Sequence, residues 1–177
     1  ASALRPSAYV GRSCTTLGIA VHSTHRFEIF ADYFQFIVQD EGCTDDFAAI
    51  WTPEALEMAA AFGRGSVCPG TLRNVEVPVD IQLWDRDPKV FLEAVDHAVE
   101  GSIEVQSGTL VVMGCTGYFP DAPRIQVEPQ TYNVLVTMGG VASIKTEWEP
   151  AADIYSVYLW PGAIRLPKLL KHWKGNA

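Results

Sequence analysis

An antiparallel β-sandwich of about eight short strands with one short helix is the fold class that this 177-residue chain predicts. Three observations carry it. From 74 to 84, Val75, Val77, Val79, Ile81 and Leu83 alternate with Asn74, Glu76, Pro78, Asp80 and Gln82, the period of a strand with one buried face. Turn-forming clusters of Gly, Pro, Asp and Asn interrupt the chain about every ten residues. Only one stretch, Trp51-Thr52-Pro53-Glu54, carries a full helix start.

Taken in order, residues 1–16 have little periodicity and read as a mobile arm ahead of a sandwich domain over 17–162. The run 27–38 is aromatic and β-branched on both faces, so a bend or bulge is expected near Ala31-Asp32. An acidic loop with Asp40, Glu41, Asp45 and Asp46 follows. At the helix start Thr52 caps free N–H groups, Pro53 has no amide to waste, Glu54 suits the positive end, and Trp51 is placed to staple onto Leu56. Good helix formers continue to Phe62, and Gly63 is the expected stop. In the 74–84 strand Pro78 lacks a ladder donor, which predicts an edge position or a bulge. Asp85-Arg86-Asp87-Pro88 then turns the chain.

The stretch 96–121 reads as the organising centre: runs 102–106 and 109–113 flank Ser107-Gly108 as a hairpin. A glycine-rich loop bearing Cys115, Tyr118, Phe119 and Asp121 follows it. The incoming run with Val95, His97 and Val99 is open to strand or helix. Residues 124–127 and 131–138 read as a second strand pair around Glu128-Pro129-Gln130, and 154–160 as a last strand before Pro161-Gly162. The basic tail 163–177, with leucines and Trp173 among its cations, suits a short amphipathic helix folded back on the acidic body.

Charge is unevenly placed. All 21 acidic residues lie between Glu28 and Asp153, with only six of the 13 basic ones, so this span stands at −15 while the two ends carry +7. Such a body repels nucleic acid and attracts a basic protein partner; solubility alone is the plainer account of the same charge. No apolar run is long enough to span a membrane, no signal-peptide pattern opens the chain, and the cytoplasm is the expected compartment unless a leader has been removed. Cysteines 14, 43, 68 and 115 form no C-x-x-C pair and read as free, mostly buried thiols.

Three kinds of chemistry are available. Cys115 with His97 is the best nucleophile–base pair, though each also serves as ordinary packing. His22 and His25 are three apart, a metal spacing only on a helix, and no metal or cofactor is expected. Asp80, Asp85 and Asp87 leave a strand for a loop as calcium ligands do in C2-type sandwiches, and the acidic loop at 40–46 would complete the set if it shared their rim.

The order of features over residues 29 to 138 resembles the family of competence protein J, inhibitors of a DNA-entry nuclease. It is carried by Tyr33-x-Gln35-Phe36, the acidic stretch, Trp51-Thr52-Pro53-Glu54-Ala55-Leu56-Glu57 leading into an alanine-rich helix, and Pro129-x-x-Tyr132. The loop at 113–123, the cysteines and the basic tail depart from the pattern. The resemblance implies a small β-rich protein that inhibits a nuclease by binding it and has no catalytic residues. Joined to the charge, it makes Asp40, Glu41, Asp45, Asp46, Asp85, Asp87, Tyr118 and Phe119 the expected contact residues for a basic partner. A calcium-binding C2-like module and a cysteine-dependent enzyme are the alternatives.

Overall fold

Four of the ten connections between successive strands carry the chain from one sheet to the other, and those crossings set the architecture. The computed structural model describes residues 21–175. In chain order it contains β1 (Val21–Phe30), a 3₁₀ turn at Asp32–Phe34, β2 (Phe36–Asp40), helix α1 (Pro53–Met58), β3 (Ala60–Phe62), β4 (Ser66–Pro69) and β5 (Glu76–Trp84). Then come β6 (His97–Val105), β7 (Thr109–Gly114), β8 (Arg124–Gln126), β9 (Gln130–Gly139), β10 (Ile154–Pro161) and β11 (Lys168–Lys171). A six-stranded sheet has the order β1-β5-β10-β9-β6-β11, and a five-stranded sheet the order β3-β4-β2-β7-β8. All pairs are antiparallel except β5 with β10.

The two sheets face one another across one core. Val77, Val79, Ile81 and Tyr155 from the first meet Phe36, Val38, Leu110 and Val112 from the second. A smaller cluster, with Ile37, Val111 and Met113, backs the five-stranded sheet under α1 and the loop 115–122. A third, around Ala98, Leu135 and Trp160, backs the other sheet under the segment 84–95 and Leu170. One buried ion pair braces a rim: Arg73 donates to Asp153 at 2.6 Å, and the Tyr155 hydroxyl donates to the same carboxylate at 3.0 Å.

The expected bend falls at Ala31–Phe34, where the chain leaves one sheet for the other. Two expected hairpins are crossings instead. β6 and β7 lie in different sheets, so Ser107-Gly108 forms an arch between them, with Gly108 at φ 78°. β8 and β9 are likewise in different sheets, joined through Glu128-Pro129. Alternation and turn residues report strand–turn–strand but not which neighbour each strand pairs with.

Local expectations also shift. The helix ends at Met58, short of Phe62, because Ala59 turns left-handed (φ 52°, ψ 32°) and 60–62 pairs with β4. Thr52 caps it as expected, accepting from the Ala55 amide at 3.2 Å. The staple does not form: Leu56 is exposed, and the Trp51 indole donates to Gln35 Oε1 at 2.6 Å. β5 is not an edge strand but is paired on both sides; Pro78 is tolerated because β10 first pairs one residue further on, at Tyr155 opposite Val79. The tail forms strand β11 rather than a helix. It pairs with β6, and Lys171 Nζ donates to the Leu92 and Val95 carbonyls. The N-terminal arm and Cys14 lie outside the described residues; Cys43, Cys68 and Cys115 are free thiols, the second fully buried.

Candidate interaction surface

The acidic loop is built to hold itself together. Asp40, at the end of β2, is 5% exposed and accepts from both the amide and the hydroxyl of Ser107, which fixes the β6–β7 arch. Asp45 accepts from the Ser66 hydroxyl at 2.7 Å and the Gly65 amide at 2.9 Å. Partial burial pulls its pKa up, but the bonds from Ser66 and Gly65 outweigh that and hold the carboxyl below its usual range. Glu41 is paired with Arg124 at 2.6 Å, and Asp46 is exposed but caps its own turn through the amides of Ala48 and Ala49. Four carboxylates read as exposed loop charges thus include two that are structural.

Asp85 and Asp87 lie at the same end of the sandwich as Asp40. The registers Leu83 with Leu159, Trp160 with Asn133 and Ile103 with Tyr132 lead from β5 across to β6 and the arch. Three strand spacings separate the two loops along that path, roughly 14 Å. Asp85 faces Arg86 at 3.6 Å, Asp87 binds Lys89 at 2.9 Å, and Asp80 pairs with Arg26 at 3.3 Å. The two loops do not converge on a shared calcium site: among the described residues no three His, Cys, Asp or Glu side chains group to hold a metal.

The long loop after β7 is anchored from two sides. Asp32 accepts from the amides of Cys115 and Thr116 at 2.7 and 2.8 Å. Arg124 donates to the Phe119, Pro120 and Ala122 carbonyls and sits 5.2 Å from the Phe119 ring centre. Through Arg124 the structure brings Glu41 and Phe119 together, with Phe119 half-buried against the second cluster. Tyr118 is 71% exposed. Of the eight expected contact residues, Asp40 is buried, Asp45 is engaged by Ser66 and Gly65, and Glu41 and Phe119 share Arg124.

The bend expected near Ala31-Asp32, at the other end of β2, carries a feature the sequence reading did not foresee. Tyr33 and Phe34 both occupy the left-handed region, at φ 57° and 58°, and both side chains point to solvent, 72% and 46% exposed. Left-handed backbone costs a non-glycine residue about 1–2 kcal/mol, and here it is imposed by neighbours. Ala31 donates to the Val75 carbonyl, Thr71 donates to the Phe34 carbonyl at 2.7 Å, and the Asp32 carboxylate is held by the loop after β7. The apolar residues on both faces of 27–38 announced the bend, but not that Tyr33 and Phe34 would face solvent there.

Among the described residues no nucleophile–base pair is assembled from Cys115 and His97. His97 Nδ1 accepts from the Trp173 amide at 3.1 Å and Nε2 donates to the Met58 carbonyl at 2.7 Å, so both ring nitrogens are taken. Burial and the charge of Asp32 push the Cys115 thiol up to about 11, leaving little thiolate at neutral pH. His25 bonds the Ser23 hydroxyl on a strand, not a helix.

No family model matches the chain, and none of the curated proteins does. The architecture defines a two-sheet sandwich carrying surface loops. Among solved structures that sandwich is the fold of ComJ, inhibitor of the DNA degrading activity of NucA, from Bacillus subtilis: TM-score 0.60, 16% identity, over 81% of this chain and 98% of that one. A second similar structure is the crocagin biosynthetic gene J product, with TM-score 0.56, 18% identity, and coverage of 80% and 98%. The ComJ-like fold expected from residues 29–138 is present. No described helix is long and apolar enough to cross a membrane.

Proposed function

We propose that this protein is a non-enzymatic binding protein that inhibits a nuclease or another basic, toxin-like protein. The carrying observation is that the fold matches ComJ over 98% of that inhibitor's length. The charge supports it: a body at −15 between Glu28 and Asp153 suits a partner whose own site is positive because it receives phosphate. Saturated polar groups at His97 and an inert thiol at Cys115 agree with a role free of catalysis. No cofactor enters this reading, and DNA is not bound directly.

The test is a DNA-degradation assay with a nuclease encoded beside this protein's gene. Stoichiometric inhibition is expected, with association slowing steeply from 50 to 300 mM salt as screening shortens the reach of opposite charges. Undiminished degradation at a tenfold excess of the protein would reject the proposal.

A further inference from the structure

We propose that the partner is gripped at the groove between the end of β1 and the loop after β7, by insertion of an arginine-bearing segment of a basic protein. This rests on the inhibitor reading for its biological setting but not for its physical basis. The groove is lined by Glu28, Phe30, Gly114, Thr116, Tyr118 and Asp121, among others. The left-handed turn follows Phe30 in the chain and is tied to the groove's loop, since Asp32 binds the amides of Cys115 and Thr116.

Three observations distinguish this place from the rest of the acidic surface. The first is exposed aromatic area: Phe30 is 52% exposed and joins Tyr33, Phe34 and Tyr118 on adjoining segments. Large aromatic side chains left in water, on a backbone held still, are what interfaces bury as anchors. The second is rigidity. A Cβ on Gly114 would lie 2.2 Å from the Phe30 carbonyl oxygen, so strand end and loop are in close approach, and the turn is clamped at Ala31, Asp32 and Phe34. Little ordering is left to be done on binding.

The third is charge. Glu28 and Asp121 line the groove without a hydrogen bond or ion pair from their carboxylates to any described residue. Among the described residues no Lys, Arg or His lines it. The nearest cation along β1, Arg26, faces Asp80 at 3.3 Å, and Arg124 is committed to Glu41. At the opposite end of β2 the carboxylates are already bonded. A guanidinium satisfies both features of the groove at once, stacking on an aromatic face and pairing with a carboxylate.

The experiment follows tetra-arginine amide, as a probe of the grip, by NMR of the full chain, and in parallel measures inhibition of the nuclease. Shifts are expected at residues 28–34 and 114–121. Glu28→Gln with Asp121→Asn should weaken the peptide at least tenfold, as should Tyr118→Ala, an exposed side chain whose loss leaves the melting temperature unchanged. Asp46→Asn with Asp85→Asn should stay within about twofold. Shifts centred on 41–46, or equal losses in the two double variants, would overturn the site. If the nuclease is inhibited as well by the Glu28/Asp121 variant as by wild type, the site falls and the inhibitor reading stands. If the peptide binds in the groove and the nuclease is untouched, the inhibitor reading falls and the site stands.

Discussion

The two ends of β7 use one device for two purposes. At the Thr109 end the buried Asp40 accepts two bonds from Ser107; at the Gly114 end the buried Asp32 accepts two from Cys115 and Thr116. Beyond Asp40 the chain folds its polar groups into itself, with Asp45 on Ser66 and Glu41 on Arg124. Beyond Asp32 it turns two aromatic side chains outward on left-handed backbone. A carboxylate that stabilises its own loop is not available to a partner, whereas local strain with exposed apolar area is the pattern of a surface kept for binding. The density of acids along the chain points to the first end. The geometry points to the second.

The largest expected effect tests whether the shared device is real. Asp32→Ala and Asp40→Ala each remove a carboxylate serving two donors within hydrogen-bonding distance, and each should cost about 3 kcal/mol, at the upper range for bonds to a charged group. Urea melts with unchanged slope would read this directly. The two should differ in binding: Asp32→Ala frees the turn and weakens the partner, while Asp40→Ala at a temperature where it remains folded should not. A cost under about 0.5 kcal/mol at Asp40 would mean that its carboxylate is solvated after all, and the contrast between the ends would be lost.

A smaller effect carries the opposite sign. Tyr33→Gly relieves the left-handed penalty and should stabilise the fold by about 1 kcal/mol, a gain of about 2–4 °C in melting temperature for a domain of this size. The same change removes an exposed ring and should weaken the partner. Stability and affinity moving in opposite directions is the signature of strain retained for function. A destabilised Tyr33→Gly would instead make the ring a packing element of the rim.

Much of the fold was legible in residue order, because alternation and turn chemistry are local. Val75 to Leu83 announced β5, Thr52-Pro53 announced α1, and the doubly apolar run 27–38 announced a break near Ala31. Sheet membership was not legible: Ser107-Gly108 supplies the same turn chemistry whether the strands pair or part. Nor was the tail, whose leucine spacing suits a helix until β6 offers an unpaired edge to 168–171. Of the expected contacts, Asp40 is buried and Asp45 is engaged by Ser66 and Gly65, because nothing in an Asp-rich loop says which carboxylates will find donors. Tyr118 was legible because Gly117 and Pro120 confine it to a loop.

The smallest effect concerns a third anchor, remote from both ends, and it serves to isolate them. His97 joins the end of α1 to the segment after β11 by accepting from the Trp173 amide and donating to the Met58 carbonyl. Only the neutral ring does both, since an imidazolium has no acceptor. Burial lowers its pKa below the usual 6.5; the Met58 carbonyl works against that, and His172, edge-on at 5.8 Å, adds to the lowering. The unfolded chain therefore takes up a proton that the folded one refuses. The stabilisation is full above about pH 6.5 and is lost as pH falls toward the depressed folded value. Melting temperature should drop between pH 7.5 and 5.5, and His97→Gln should flatten that drop. Hydrogen exchange should open first at the Trp173 amide while the amides of Cys115 and Thr116, which donate to Asp32 and not to His97, stay protected. If the Asp32 end opened first, the clamp on the aromatic turn would be weaker than its bonds imply, and the rigid end of the comparison would have to be sought elsewhere.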